Sequence, residues 1–169
     1  RQMCIRDRLK ACKGCNLKNA KLDNADLKGA DLRKADLSGA SLIGVDLSNA
    51  DLSGADLSNS FVSAATLHKT NLSGANLTNI DLSFSKLSYA NLENANLTNS
   101  NLIMTNFFLA SLYKSNLSKA FMGLTNFTGS DLRKANFSGA EFDDSVNFES
   151  AQTKGLVFCK TKTPWGEDN

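Results

Sequence analysis

From residue 15 to residue 142 every fifth residue is large and apolar. Centred on Leu17, Leu22, Leu27 and onward to Phe142, the series has 26 members, of which 20 are Leu. The others are Val62, Phe107, Met122, Phe127, Phe137 and Phe142, so no centre is polar. Two residues before each centre stands a small side chain, mostly Ala, otherwise Ser, Thr or Cys15, with only Val45 and Ile80 larger. A period of five suits neither common element. On an α-helix each step of five advances about 140° beyond a full turn, which would wind the Leu residues around the cylinder. On a flat strand an odd step sends successive Leu residues to opposite faces. The chain must therefore bend once per unit. Within a unit the small residue and the centre are two apart, which puts both on one side of a short extended segment, facing a core. The two residues after the centre are turn formers, as in Ser38-Gly39, Ser53-Gly54, Ser73-Gly74 and Ser138-Gly139, or end in Asn, as at Asn19, Asn24, Asn49, Asn59, Asn79, Asn94 and Asn99. Gly and Asn tolerate the positive φ of a type II turn, so each centre is expected to be followed by a tight corner.

The motif Ala-Asp/Asn-Leu-X-X, as in Ala25-Asp26-Leu27-Lys28-Gly29 and Ala75-Asn76-Leu77-Thr78-Asn79, resembles the repeat of the pentapeptide-repeat family and runs unbroken over residues 15–142. The resemblance implies an all-β fold, a right-handed four-sided parallel β-helix in which each pentapeptide makes one side. Four sides make a coil of 20 residues, so the 26 units correspond to about 6.5 coils. At about 4.8 Å per stacked strand the rod would be roughly 30 Å long. Each coil touches only its neighbours, so stability accumulates along the rod and both ends need caps. The expected organisation is a non-native segment over 1–8, an N-terminal cap over 9–14, the β-helix over 15–144, and a C-terminal cap and tail over 145–169.

The chain has 169 residues, enough for one domain, and its 19 basic and 17 acidic residues leave a net charge of +2. That balance gives no strong pull toward nucleic acid or anionic lipid. No apolar run approaches the length of a membrane-spanning helix. Residues 1–8 are unlike the rest: Met3-Cys4-Ile5-Arg6-Asp7 followed by Arg resembles a translated transposon-end sequencing adapter, and the segment is set aside from fold reasoning. On that reading the native N-terminus and any signal peptide lie outside this sequence.

Cys12-Lys13-Gly14-Cys15 is a lone Cys-X-X-Cys. It fits a local disulfide or two small buried thiols, a disulfide to another cysteine, or a redox or metal site. Zinc lacks four ligands, because His68 is the only His and no second such pair exists. Similar Cys-X-Gly-Cys-X-Leu openings in exported pentapeptide-repeat proteins tilt the expectation toward a periplasmic or extracellular, oxidising location over a cytoplasmic one.

Because the inward positions are nearly uniform, specific function is expected in outward positions that break the pattern. Phe84, Met104 and Leu124 occupy turn slots at spacings of 20, with Ile43 lower on the same side, Ile103 and Phe121 beside them, and Tyr89, Phe108 and Leu109 on the adjoining side. They are expected to form an apolar strip for a protein partner or a second copy. Cover by the C-terminal tail, or local distortion of the coil, are the competing readings. The pre-centre slot changes from Asp26, Asp31, Asp36, Asp46, Asp51 and Asp56 to Asn71, Asn76, Asn91, Asn96, Asn101, Asn106 and Asn116. Stacked Asn side chains are expected to hydrogen-bond along the rod. The Asp run reads either as repeat consensus or as an imitation of a DNA phosphate track. Arg33-Lys34, Lys114 and Arg133-Lys134 mark another side, read as a solvated basic face without interleaved aromatics.

The frame is lost near Asp144, where the helix is expected to end. Gln152-Thr153-Lys154-Gly155 reads as a loop and Leu156-Val157-Phe158-Cys159 as a plug for the core. Phe158-Cys159-Lys160-Thr161 with Pro164 and Gly166 resembles the family's C-terminal cap, which often continues to a further cysteine. No nucleophile–His pair, glycine-rich phosphate loop or inward carboxylate pair points to catalysis. The expected role is a non-catalytic structural or protein-interaction rod without cofactor, metal, small-molecule substrate or nucleic-acid partner. Two alternatives stand: a DNA-mimicking, gyrase-protecting protein like one branch of the family, which would call for a strongly acidic surface, and a redox function of Cys12 and Cys15.

Overall fold

A computed structural model describes residues 10–159, 161–163 and 166–167. The adapter-like segment 1–8 and Pro164 lie outside the described residues.

Each coil of 20 residues makes four corners and four short sides, and each side pairs in parallel with the side 20 residues later, from Ala11↔Asp31 through Asn116↔Asn136. The sides are numbered by their centres: side 1 carries Leu22 to Phe142, side 2 Leu27 to Phe127, side 3 Cys12 to Leu132 and side 4 Leu17 to Phe137. Nearly every Leu centre is fully buried, together with the Ala two places before it, in one continuous core. Cys12 occupies a centre slot, so the frame begins one unit earlier than the apolar series suggests.

The unit built on Leu77 shows why the repeat has five residues of these types. Ala75 N–H donates across the preceding corner to Leu72 O (3.0 Å), and Asn76 N–H donates down to Ala55 O (2.9 Å). Leu77 N–H donates up to Asn96 O (2.7 Å), and Asn79 N–H to Thr98 O (3.0 Å). The remaining N–H, on Thr78, has no carbonyl to meet and donates to Asn76 Oδ1 (3.3 Å). All five amides are thereby satisfied, as buried backbone requires. The Asp or Asn before each centre is therefore an Asx acceptor that serves its own corner. Side 1 shows the substitute arrangement: Ser41 fills that slot, and Ile43 N–H turns instead to Asp23 Oδ1 of the coil below (3.0 Å).

Polar residues in the inward small slot are satisfied locally. Thr70, Ser85, Thr105 and Thr125 donate to carbonyls of the coil below, and Ser60, Ser115 and Ser130 to the preceding centre's carbonyl. Ser100 Oγ alone among the described buried side chains has no partner.

The C-terminal end differs from expectation. The helix does not stop at Asp144: one residue is inserted after Phe142, and the ladder resumes with spacing 21 at Asn126↔Asn147, Asp131↔Gln152 and Asn136↔Val157. The inserted corner closes when Leu124 N–H donates to Ser145 Oγ (2.7 Å), which is itself bonded to Asp143. Gln152–Gly155 is consequently side 3 of this last coil and not a loop; Leu132 N–H donates to Gln152 O (2.8 Å). Phe158 takes the side 4 centre and packs on Phe137 and Phe142, with ring centroids at 5.7 and 6.2 Å. Four two-residue strands finish the rod: β1 (Phe121–Met122), β2 (Glu141–Phe142), β3 (Lys162–Thr163) and β4 (Gly166–Glu167). β1, β2 and β3 are parallel neighbours, and β4 turns back antiparallel on β3. That reversal covers a sheet edge that would otherwise offer unpaired backbone groups.

Candidate functional site

Every described corner except the inserted one at Asp143–Ser145 places its last residue at positive φ, where Gly and Asn are at ease and other residues are strained. The corner between sides 3 and 4 meets this demand with Gly, Asn94, Lys34, Lys114 and Lys134, and the corner between sides 4 and 1 with Gly, Asn and Lys119. Bulky apolar residues occupy the slot at five places: Phe84 (φ 61°), Tyr89 (61°), Met104 (56°), Leu109 (54°) and Leu124 (54°). Phe84, Met104 and Leu124 stack on the corner before side 2, and Tyr89 and Leu109 on the corner after it. All five thus flank one side, on successive coils.

These side chains point into solvent: Phe84 is 58% exposed, Leu124 56%, Tyr89 48%, Met104 43% and Leu109 42%. Ile103 and Phe121 are exposed beside them, and Phe108 is half-buried. Among the described residues the tail joins the last coil and the strip stays open. Between the two ridges the wall of side 2 carries Thr66, Lys86, Asn106 and Asn126. One ridge continues as an edge-to-face ladder, His68 on Tyr89 at 5.5 Å and Tyr89 on Phe108 at 5.9 Å. Sequence reasoning missed Phe61, which is 54% exposed on side 1. Its signal was available, since an aromatic stands where the repeat calls for Asp or Asn.

Apart from Phe61 and Phe121 on side 1 and Val157 on side 4, the other sides are polar and internally engaged. Asn99 Nδ2 donates to Asn79 Oδ1 (2.7 Å) and Asn79 Nδ2 to Asn59 Oδ1 (3.0 Å). Along the walls Asn71 bonds Asp51, Asn76 bonds Asp56, Asn101 bonds Asp81 and Asn136 bonds Asn116. The basic corner does contain an aromatic, contrary to the sequence reading: Lys114, Arg133 and Lys134 gather 5.3, 5.6 and 5.9 Å from the Tyr113 ring. Arg133 is further held by both oxygens of Asp131 (2.8 and 2.6 Å). A shallow depression of about 330 Å³ near Lys18, Ser38, Asp56 and Asn59 is lined by polar side chains without a nucleophile–base pair. Among the described residues no group of three His, Cys, Asp or Glu is placed to hold a metal ion, and no helix is long and apolar enough to cross a membrane. At the N-terminal end Cys12 and Cys15 form a disulfide with Cα atoms 5.2 Å apart, Cys12 lying buried at the mouth of the core.

Asp31 accepts from Nε and Nη2 of Arg33 at 2.7 and 2.6 Å, and this pairing lowers its pKa to about 2. The hydroxyl and N–H of Ser38 lower Asp36 in the same way. At Asp46 burial opposes the shift, but bonds from Ser48 and Lys28 outweigh it. A carboxyl depressed below the ~3.9 of an unfolded Asp stabilises the fold above about pH 4 and ceases to do so as pH falls toward 2. Between those limits amide exchange should accelerate first in the N-terminal coils around Asp31, Asp36 and Asp46 and at the corners of Asp131 and Asp143, which Arg133 and Ser145 lower in the same way. Protection should persist near Asn91, Asn96 and Asn116, whose neutral acceptors do not titrate. Equal loss along the rod would show that the carboxylate acceptors are not what acid removes.

The family model "Pentapeptide repeats (8 copies)" matches residues 12–49, 46–83, 75–112 and 110–146. A trypsin-treated form of QnrB1, a plasmid-mediated fluoroquinolone resistance protein, is similar in structure at 14% identity, covering 87% of this chain and 86% of that one with a TM-score of 0.65. A pentapeptide repeat protein of the Arabidopsis thaliana thylakoid lumen is 26% identical over 59% of this chain and 68% of that one, with a TM-score of 0.57. No curated protein sequence matches significantly. The Asx-closed, 20-residue coil and the run of matched repeats lead to one assignment: the chain belongs to the pentapeptide-repeat family.

Proposed function

We propose that this protein is a non-catalytic, right-handed scaffold rod that engages another protein through side 2. The observation that carries this reading is the placement of Phe84, Tyr89, Met104, Leu109 and Leu124, all strained and exposed, on the two corners that border that side. An L residue at positive φ is destabilising by roughly 1–2 kcal/mol, and an exposed apolar side chain recovers little of that in the isolated rod. A contiguous ridge of such residues is what a binding surface requires. The disulfide between Cys12 and Cys15 closes the mouth of the core, which suits a structural role in an oxidising compartment better than redox catalysis.

The alternative reading, a DNA-mimicking, gyrase-protecting protein, has less support. Net charge is +2, and the stacked Asp carboxylates are occupied as corner acceptors or paired with Lys28 and Arg33. The test of the scaffold reading is a Phe84→Asp/Met104→Asp variant, which should melt like the wild type. Any protein retained by the immobilised wild-type rod and lost by the variant should then bind as a purified component in calorimetry. A retained set that the two substitutions leave unchanged would remove side 2 from the interaction.

A further inference from the structure

We infer that side 2 is self-complementary and that two copies of this chain pair through it in antiparallel fashion, about a twofold axis crossing the rod at Met104. This rests on the reading of side 2 as an interaction face and names its occupant. An in-plane axis perpendicular to the rod keeps each corner opposite the same corner of the other copy and inverts height. Met104 then meets its own copy and Leu109 its own. Phe84, one coil below, meets Leu124, one coil above; Tyr89 meets the corner of Thr128 and Gly129, where the Leu109 side chain lies over the Gly and offers the ring an apolar surface. Lys86 faces Asn126 and Thr66 faces Asn147, both polar. Two coils out, the His68–Lys69 corner faces Glu149, and Ser63 and Ala64 face Asp143 and Asp144.

Charge selects this arrangement over the parallel one. With the axis along the rod, the corner holding Asp143 and Asp144 would abut the corner holding Glu149, twice, and Lys69 would face Ala64. The antiparallel pairing brings Glu149 to a cation at both ends instead. Within one chain Lys69 and Glu149 are four coils apart, about 19 Å at 4.8 Å per coil, too far to interact directly. The apolar residues of the strip together expose on the order of 600 Å² per copy, at the lower end of stable interfaces, so the dimer should be concentration-dependent in the micromolar range.

Sedimentation across a concentration series tests this on the full chain. The wild type should shift from monomer to dimer, and Met104→Asp, which sets two carboxylates against each other on the axis, should weaken association at least tenfold. Lys69→Glu and Glu149→Lys should each weaken it about fivefold, and the two combined should restore it to within about twofold of the wild type. Thermal unfolding of each variant at dilute protein confirms that the rod is intact, since every site is exposed. A wild type that stays monomeric at high micromolar concentration overturns the dimer. If such a monomer still binds a purified partner through Phe84 and Met104, the scaffold reading survives alone. A dimer that Met104→Asp leaves intact overturns the placement on side 2. A swap that fails to restore association overturns the antiparallel register.

Discussion

Replacing Phe127 by Ala should destabilise the rod by about 3–5 kcal/mol, the largest loss expected from any single substitution of an exposed or buried ring here. Phe127 is fully buried on side 2 and stands between two parallel rings, Phe107 below at 5.1 Å and Phe148 above at 5.3 Å, with Phe137 edge-on at 6.0 Å. Its removal opens a cavity in the middle of that column. The neighbours cannot collapse into it, because each is fixed on its own coil by ladder bonds from both sides, as Phe127 is through Asn147 O (2.7 Å). Phe61→Ala serves as the control: a ring of equal size on side 1, 54% exposed, should change stability by no more than about 1 kcal/mol. Denaturant unfolding followed by circular dichroism measures both. A loss below about 1 kcal/mol for Phe127→Ala would mean that the last coils, from Phe127 to Phe158, are not part of the cooperative core.

The same Phe column shows what the sequence makes legible and what it hides. The centres at Phe107, Phe127 and Phe137 are visible as members of the five-residue series, and their burial follows from the period alone. Phe148 and Phe158 are not visible that way, because a single inserted residue destroys a period without destroying the ladder. Backbone bonds care about which strands are adjacent, and the hydroxyl of Ser145 can stand in for a carbonyl at the corner above Leu124. Cys12 was hidden for a different reason: a disulfide-bonded sulfur fills a Leu slot that a search for large apolar residues passes over. The number of sides came from resemblance and not from composition, since period five specifies a bend but not its angle. Corner residues that break the turn pattern were legible as a strip once the resemblance supplied a 20-residue coil. Their confinement to the borders of side 2 required the 20-residue stacking, and so did the gathering of Lys114, Arg133 and Lys134 around Tyr113.

Replacing Phe84, Met104 and Leu124 together by Asn should make the rod more stable, by about 2 kcal/mol, while abolishing association through side 2. Three contributions decide the sign. Asn tolerates positive φ where these residues are strained, a relief of about 1 kcal/mol per site. Stacked Asn residues at successive corners can bond to one another, as Asn59, Asn79 and Asn99 already do, adding about 1 kcal/mol per new bond. Against these stands the loss of apolar contact between neighbouring side chains that are each roughly half exposed, about 1 kcal/mol apiece. The net gain corresponds to a rise in Tm of roughly 4–8 °C, to be read at dilute protein so that dimer formation does not stabilise the wild type. If the triple variant is less stable than the wild type, the bulky corners stabilise the rod by packing and their exposure needs no functional account. If it is more stable and still associates, the strip is not the contact surface. A more stable rod that no longer associates is the combination expected of residues kept at a structural cost for the surface they present, because nothing within a single coil would otherwise retain Phe, Met and Leu where Asn serves the backbone better.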